Sequence, residues 1–468
     1  MKRYPLVLAG LACFFIVTFS YDQLNARDTI RVSFEDFVAM ATEFSANLDA
    51  QKQQVHLAEN RVKQVRANRF LPNLNLTTAH GLVPGVKSQM DLSPGRYYLD
   101  PNLENDWENW GIFTQAEISG IQPVYTWGGI TNLIQAARKG ADAAQYEFDS
   151  DKESFVLQLF ELYQSALFVQ ELERLLENAD EQLDRAEREI ERMRDEGDVS
   201  LEEKDVFEFN IFKAEFQSHR NEVQQTSDFI RRSWDLILSG NGRTVYLPEA
   251  RFLDPVPVQI QEINFYKQSA LSNRAELKGI GAAQEAAQYG VEAARSQYYP
   301  SLVLGASGGF GYTPNRPRQT NPFIRNNTNF ISARVGFGFQ QNLNFRQVRT
   351  QVQRSEIQLR QTRDYRDAAQ DGILLQLHDT YREANITKSR RESKREALRI
   401  ANEWLRTEQI DFDIGFGDIK NLVDAVKKKM ELELDVTQLT FDLNLKMAQL
   451  HRSAGLPLEE LFPQTSDE

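Results

Sequence analysis

The chain has 468 residues, five histidines, a single cysteine and a formal net charge of −13. That acidic balance argues against a nucleic-acid surface. One cysteine excludes a disulfide framework or a thiolate metal cluster within the chain, and the scattered histidines have no ligand spacing, so neither metal nor cofactor is expected.

Lys2 and Arg3 precede an apolar run from about Tyr4 to Phe19, and polar sequence follows from Tyr21. Residues 1–26 therefore read as a secretory signal peptide, cut near Ser20 or Ala26. A membrane anchor is the alternative, but the run falls short of the roughly 20 apolar residues a span needs. Cys13 lies inside the run, between Gly10-Leu11-Ala12 and Phe14-Phe15-Ile16. A lipidation cysteine would precede polar sequence, so Cys13 is read as part of the signal. No other stretch is apolar for long enough to cross a membrane as a helix. Any membrane contact of the exported chain is then made by strands, which points to a closed barrel in a Gram-negative outer membrane.

In chain order, Glu35 to Asn68 reads as one helix, with small and apolar residues recurring from Phe37 to Val65, and Pro72 ends it. Asn73 to Leu82 alternates as a strand, Pro84 to Asn109 reads as a polar loop, and Ile112 to Ile118 alternates again up to Gln122-Pro123. From about Trp127 to Asp195 there is no proline. A narrow apolar stripe (Leu157, Leu159, Phe160, Tyr163, Ala166, Leu167) predicts one long coiled-coil helix. Gly197-Asp198-Val199 breaks it, and Ser200 with Glu203 forms a capping box for a helix from Leu201 to about Leu238. Residues 241–262, with three prolines, read as a connector.

The plan then repeats. A helix from Asn264 to Tyr299 meets Pro300. An alternating strand follows to Tyr312, then a loop to Asn329, a strand over Ile331 to Phe339 and a proline-free helix from Phe345 to Asp411. Gly415-Phe416-Gly417-Asp418 precedes a last helix from Ile419 to Ala454, and the acidic tail, residues 456–468, is expected to be mobile. Pro72 and Pro300 lie about 228 residues apart, and Gly197 and Gly415 about 218. The chain is thus an internal duplication, residues 27–240 and 263–455, with Pro72, Pro123 and Pro300 at the helix–strand junctions. Only four strands are offered, too few to close a barrel, and open strand edges are not tolerated in lipid, so several chains must pool their strands. Three would give twelve, with Asn73, Asn75, Thr77, Ser307, Gly309 and Arg334 facing water. The competing reading is a half-buried sheet on a soluble core, which leaves the export signal and the paired long helices unexplained.

Asn273-Arg274-Ala275-Glu276-Leu277, then Ala293-Ala294-Arg295 and Tyr299-Pro300-Ser301-Leu302, resemble the "NRPEL … AAR … lPsL" junction of the TolC-type outer-membrane efflux proteins. Gln122 to Gly129 resembles that family's strand-to-helix corner, and Gly415 to Ala425 its periplasmic tip turn. The resemblance covers nearly all of the mature chain. It implies an α+β membrane protein: a homotrimer with a 12-stranded transmembrane barrel and a long helical coiled-coil tunnel in the periplasm. It further implies a passive exit duct, partnered by a periplasmic adaptor and an inner-membrane transporter and surrounded by outer-membrane lipid. In the family, aspartates ring the closed tip. The match carries Asp424 onto one of them, has Asn421 where some members have a second, and places Asp418 nearby. The tip turns, Gly197, Asp198, Val199, Gly415, Phe416 and Gly417, would meet the adaptor. Asn342 stands where the first repeat has Pro123.

An enzyme finds no support. Gly305 to Gly311 is glycine-rich but lacks the Lys-Ser/Thr of a phosphate loop, and neither HExxH nor GxSxG occurs. A periplasmic coiled-coil adaptor or scaffold without a pore is the remaining alternative.

Overall fold

A computed structural model describes residues 28–88, 104–196, 202–238, 244–316, 323, 326–414 and 417–462. The expected signal peptide with Cys13, and Gly197, Asp198, Val199, Gly415 and Phe416 of the tip turns, lie outside the described residues. The elements run β1 (Asp28–Val32), α1 (Phe34–Glu43), α2 (Ala46–Ala67), β2 (Asn73–Lys87), β3 (Glu104–Tyr125), α3 (Gly129–Asp195) and α4 (Glu203–Ile237). There follow β4 (Thr244–Pro248), α5 (Ile263–Asn273), α6 (Ala275–Arg295), β5 (Ser301–Tyr312), β6 (Phe330–Gln340), α7 (Phe345–Asp413) and α8 (Ile419–Ser453).

The two long helices are unbroken, as their proline-free sequences require. With 67 residues in α3 and 69 in α7, each is roughly 100 Å long at 1.5 Å per residue. Each long helix takes different partners over its two halves. Near the sheet α3 packs on α2 and α6, and α6 packs on α7; towards the far end α3 meets α4, and α7 meets α8. Ion pairs mark the seams: Lys139–Glu285 at 2.9 Å, Arg295–Glu356 at 2.8 Å, Lys213–Glu187 at 2.5 Å and Lys394–Asp435 at 2.6 Å. At such exposed positions water screens each pair; the apolar stripe carries the pairing. Leu159, Phe160, Tyr163, Ala166 and Leu167 of that stripe are all buried.

Several boundaries differ from the sequence reading. The helix expected over residues 35–68 is two, because Ser45 accepts from the Leu48 N–H and starts a new helix. The helix expected over 264–299 likewise breaks at Arg274. Arg274 is buried. It donates to Glu276 at 2.9 and 2.7 Å and to the Ser453 carbonyl at 3.2 Å, tying the break to the end of α8. Ser200, expected to cap the next helix, lies outside the described residues; α4 is described from Glu203, with Glu202 at the N-cap position. Pro84 lies inside β2 rather than in the loop. It sits beside a register shift on an edge strand, where a missing N–H is tolerated.

The connector holds a strand that alternation over so few residues did not reveal. β4 pairs in parallel with β1, Ile30 opposite Tyr246. This small sheet caps the main core, where Phe37 stacks on Trp234 at 4.3 Å and Tyr163 donates its hydroxyl to the Val32 carbonyl at 3.1 Å. Burial pushes the Tyr163 hydroxyl up to about 12. Asn444 of α8 is fully buried. It donates to Gln164 and to the Asp254 carbonyl at 3.1 and 2.9 Å, and accepts from the Val256 N–H at 2.9 Å, fastening the connector to both repeats. The first part of the tail is also fixed rather than mobile. Leu458 and Leu461 are buried, and Phe462 stacks on Phe34 at 4.3 Å.

Candidate functional site

The four-stranded sheet runs β2-β3-β5-β6, antiparallel throughout. Its register sorts the side chains onto two faces, because successive residues of a strand point to opposite sides. One face carries Leu74, Leu76 and Leu82; Ile112 and Ile118; Leu302, Leu304 and Phe310; and Ile331, Val335, Phe337 and Phe339. It has no Lys, Arg, Asp or Glu between Leu74 and Leu82 or in the segments paired with them. Most of it is bare: Leu76 is 69% exposed, Phe337 73% and Phe339 78%. So large a continuous apolar face cannot stand in water.

The opposite face is small and polar. Asn75 lies opposite Ser119, Ser119 opposite Ser307, and Ser307 opposite Arg334, so one row crosses all four strands. These residues, with Asn73, Gly305 and Gly336, line a hollow, which makes the polar side concave. Thr77, Glu117, Gly309 and Ser332 form the next row. Between Asn73 and Val83 and in the segments paired with them, the charged residues on this face are Glu117 and Arg334. Phe113 and Phe330 lie flat on the wall further along: a Cβ on Gly81 would sit 2.5 Å from Phe113, and one on Gly311 2.5 Å from Phe330. The expected sorting of small and polar side chains from apolar ones is the observed arrangement, and the polar face is lightly charged.

Two corners join this sheet to the helices. At Pro72 the turn after α2 places Leu71 at φ 49°, a left-handed conformation for a branched residue. Gln122 holds it, accepting from the Leu71 N–H at 2.6 Å and donating to the Arg69 and Pro123 carbonyls at 2.6 and 2.7 Å. At Pro300 the matching residue is Gln341, which donates to the Tyr298 carbonyl at 3.0 Å. Trp127 crosses between the repeats, donating to the Pro300 carbonyl at 2.9 Å with its ring 5.0 Å from Tyr299. The proline reading missed these glutamines. Their signal was present, since Gln122 precedes Pro123 as Gln341 precedes Asn342. Pro123 itself lies at a register shift near the end of β3.

At the far tip, Ile190, Met193, Phe209, Phe216 and Ile419 form a separate small core between α3, α4 and α8. The three sequence-designated gate residues do not converge. Asp418 caps α8, accepting from the Lys420 N–H at 3.0 Å, so its carboxylate has a structural task. Asp424 lines a hollow against α4 with Lys420, Lys427, Glu208 and Glu215, over Ile211 and Phe212. Asn421 is exposed and lies outside that hollow. Gly417 is set by contact. Its N–H donates to the Asp411 carbonyl at 2.8 Å, and a Cβ there would come within 2.5 Å of the Phe412 backbone nitrogen. No group of His, Cys, Asp and Glu able to hold a metal occurs among the described residues.

Residues 267–455 match the family described as Outer membrane efflux protein. Solved structures extend the likeness to nearly the whole chain. The outer-membrane channel OprN aligns with a TM-score of 0.69 at 15% identity, over 91% of this chain and 90% of that one. The open-state MtrE outer membrane channel of Neisseria gonorrhoeae gives 0.69 at 12% identity, over 91% and 89%. The outer membrane protein VceC of Vibrio cholerae gives 0.67 at 15% identity, over 91% and 97%. No curated relative matches by sequence. At these identities the structural likeness establishes the fold of the chain, long packed helices joined to a four-stranded sheet.

Proposed function

Because the second repeat is an outer membrane efflux protein domain, in a chain with the fold of outer-membrane channels, we propose that this protein is the outer-membrane exit duct of a tripartite efflux or type I secretion system. It is not an enzyme; it is a passive conduit that sits in the outer membrane and reaches into the periplasm. The observation that carries this reading is the sheet: apolar and bare on its convex side, polar on its concave side, unpaired at both edges, and continuous with helices of about 100 Å. The 11 residues of β6 extend about 36 Å at 3.3 Å each. At the roughly 40° tilt of membrane barrels they cover about 28 Å, the height of the hydrocarbon layer. Three copies close twelve strands around water, and their long helices continue the lumen across the periplasm.

Flow through such a duct needs no bond chemistry, only an open path. The tip is the place to close it. There α8 leans on α3 and α4 through a core of few side chains, separate from the main core, so the first turns of α8 can move without disturbing the rest. Asp424 stands at that tip, and three-fold symmetry triples its charge into a cation-attracting ring. The tip turns at Gly197–Val199 and Gly415–Gly417 dock the periplasmic adaptor, which couples the duct to an inner-membrane transporter. The scaffold alternative gains nothing from a bare apolar sheet face.

The test is fractionation followed by conductance. The protein is expected in the outer-membrane fraction as a heat-sensitive trimer that forms ion-conducting pores in planar bilayers. A soluble monomer without conductance would refute the reading.

A further inference from the structure

We infer that β6 of one copy pairs antiparallel with β2 of the next in a single register, with Gly338 opposite the next copy's Ala79, Gly336 opposite its Gly81 and Arg334 opposite its Val83. The inference rests on the channel reading above and adds what that reading leaves open: which residues close the wall.

The sheet order leaves β2 and β6 as its two edges, each with a row of unpaired backbone groups. The duplication supplies the missing register. With Pro72 set on Pro300, β2 maps onto β5; with Pro123 set on Asn342, β3 maps onto β6. This mapping is tested inside the chain. Leu76–Ile118, Asn75–Ser119 and Thr77–Glu117 of the first hairpin map onto Leu304–Phe337, Val303–Gly338 and Gly305–Gly336, and those are the pairs observed in the second. The repeats therefore share one register without a slip.

The β3·β5 seam joins the last strand of one repeat to the first strand of the following repeat. The seam between copies joins the same two kinds of strand. Carrying Ser119–Ser307, Glu117–Gly309 and Gln115–Gly311 through the mapping gives Gly338–Ala79, Gly336–Gly81 and Arg334–Val83. The result is consistent with the rest of the sheet. All 11 residues of β6 find partners within β2, and the faces match, Val335 meeting Leu82 on the apolar side. A slip of one residue would turn Arg334 towards the apolar face. A slip of two in one direction would set Arg334 opposite Gly81, where the Phe113 ring already lies; Gly336 leaves that space free.

Paired cysteines test the register, in a background where the only native cysteine, Cys13, is replaced by serine. Directly opposed Cβ atoms lie about 5 Å apart and can close a disulfide, whereas positions two residues off register lie about 7–8 Å apart and cannot. Gly338→Cys with Ala79→Cys is expected to give covalent oligomers from outer membranes on a non-reducing gel, reversed by reductant. Gly338→Cys with Thr77→Cys, and Gly338→Cys with Gly81→Cys, are expected to stay monomeric. Ser119→Cys with Ser307→Cys, the equivalent pair within one chain, is the control for oxidation. Crosslinking led by either offset pair would overturn the register. If no pair crosslinks between chains while the control closes and the variants still conduct, the register is wrong and the channel stands. If conductance is absent as well, the channel reading falls with it.

Discussion

A single glycine decides how α7 hands over to α8. Gly417 packs against the backbone of Asp411 and Phe412 so closely that a methyl group has nowhere to go. Gly417→Ala should cost about 1–3 kcal/mol and loosen the tip, read as faster proteolysis there and a higher resting conductance. Asn444 is the corresponding residue in the main core. Truncating it to alanine leaves the Val256 N–H and the Asp254 carbonyl without their partner. A loss of about 2–4 kcal/mol is expected, seen as a lower thermal midpoint. In the sheet, Arg334 is exposed on the polar face and one row from Glu117. Arg334→Gln should move the reversal potential towards cation selectivity, and Glu117→Gln should move it the other way. Equal reversal potentials in both variants would show that neither charge faces the permeation path.

The corners and the end of α8 act as units. Gln122 makes three hydrogen bonds across the first corner and Gln341 one across the second. At about 0.5–1.5 kcal/mol each, Gln122→Ala should lower the temperature at which the assembly dissociates more than Gln341→Ala does. The end of α8 carries a pH dependence. His451 is buried beside the Pro457 carbonyl, and burial holds its ring below the ordinary value of 6.5. The folded chain thus refuses a proton that the unfolded chain accepts. This contribution to stability is intact above pH 6.5 and is lost as the pH falls from there towards the depressed value. Glu153, raised first by burial and then by the neighbouring Glu276 carboxylate, works in the opposite sense: its contribution is full below 4.5 and is lost as the pH rises through its elevated value. His451→Gln should flatten the fall in thermal midpoint just below pH 6.5 while leaving the more acidic region unchanged.

For the whole molecule, the pore predicts what the tip aspartate does. If three Asp424 carboxylates meet at the constriction, Asp424→Ala should weaken block by multivalent cations such as hexamminecobalt in single-channel records, without changing the number of pores formed. Unchanged block would place Asp424 off the axis, as a solvated side chain beside Lys420 and Lys427 on the α8 side of the hollow.

The chain by itself determined the element types and their doubling, because period, proline and glycine act locally. The switch from helix to strand at Pro300, the unbroken run from Gly129 to Asp195, and the sorting of Leu302 from Val303 onto opposite faces all follow from spacing along the backbone. Tertiary structure alone decided matters that depend on residues distant in sequence. The β1–β4 strands are too short to signal themselves and exist because each completes the other. The helix break at Arg274 follows from a buried ion pair bound to Ser453 of the last helix. Asp418, Asn421 and Asp424 follow one another at steps of three, yet Asp418 stands before the first turn as a cap, while of the two exposed helix residues only Asp424 lines the hollow against α4.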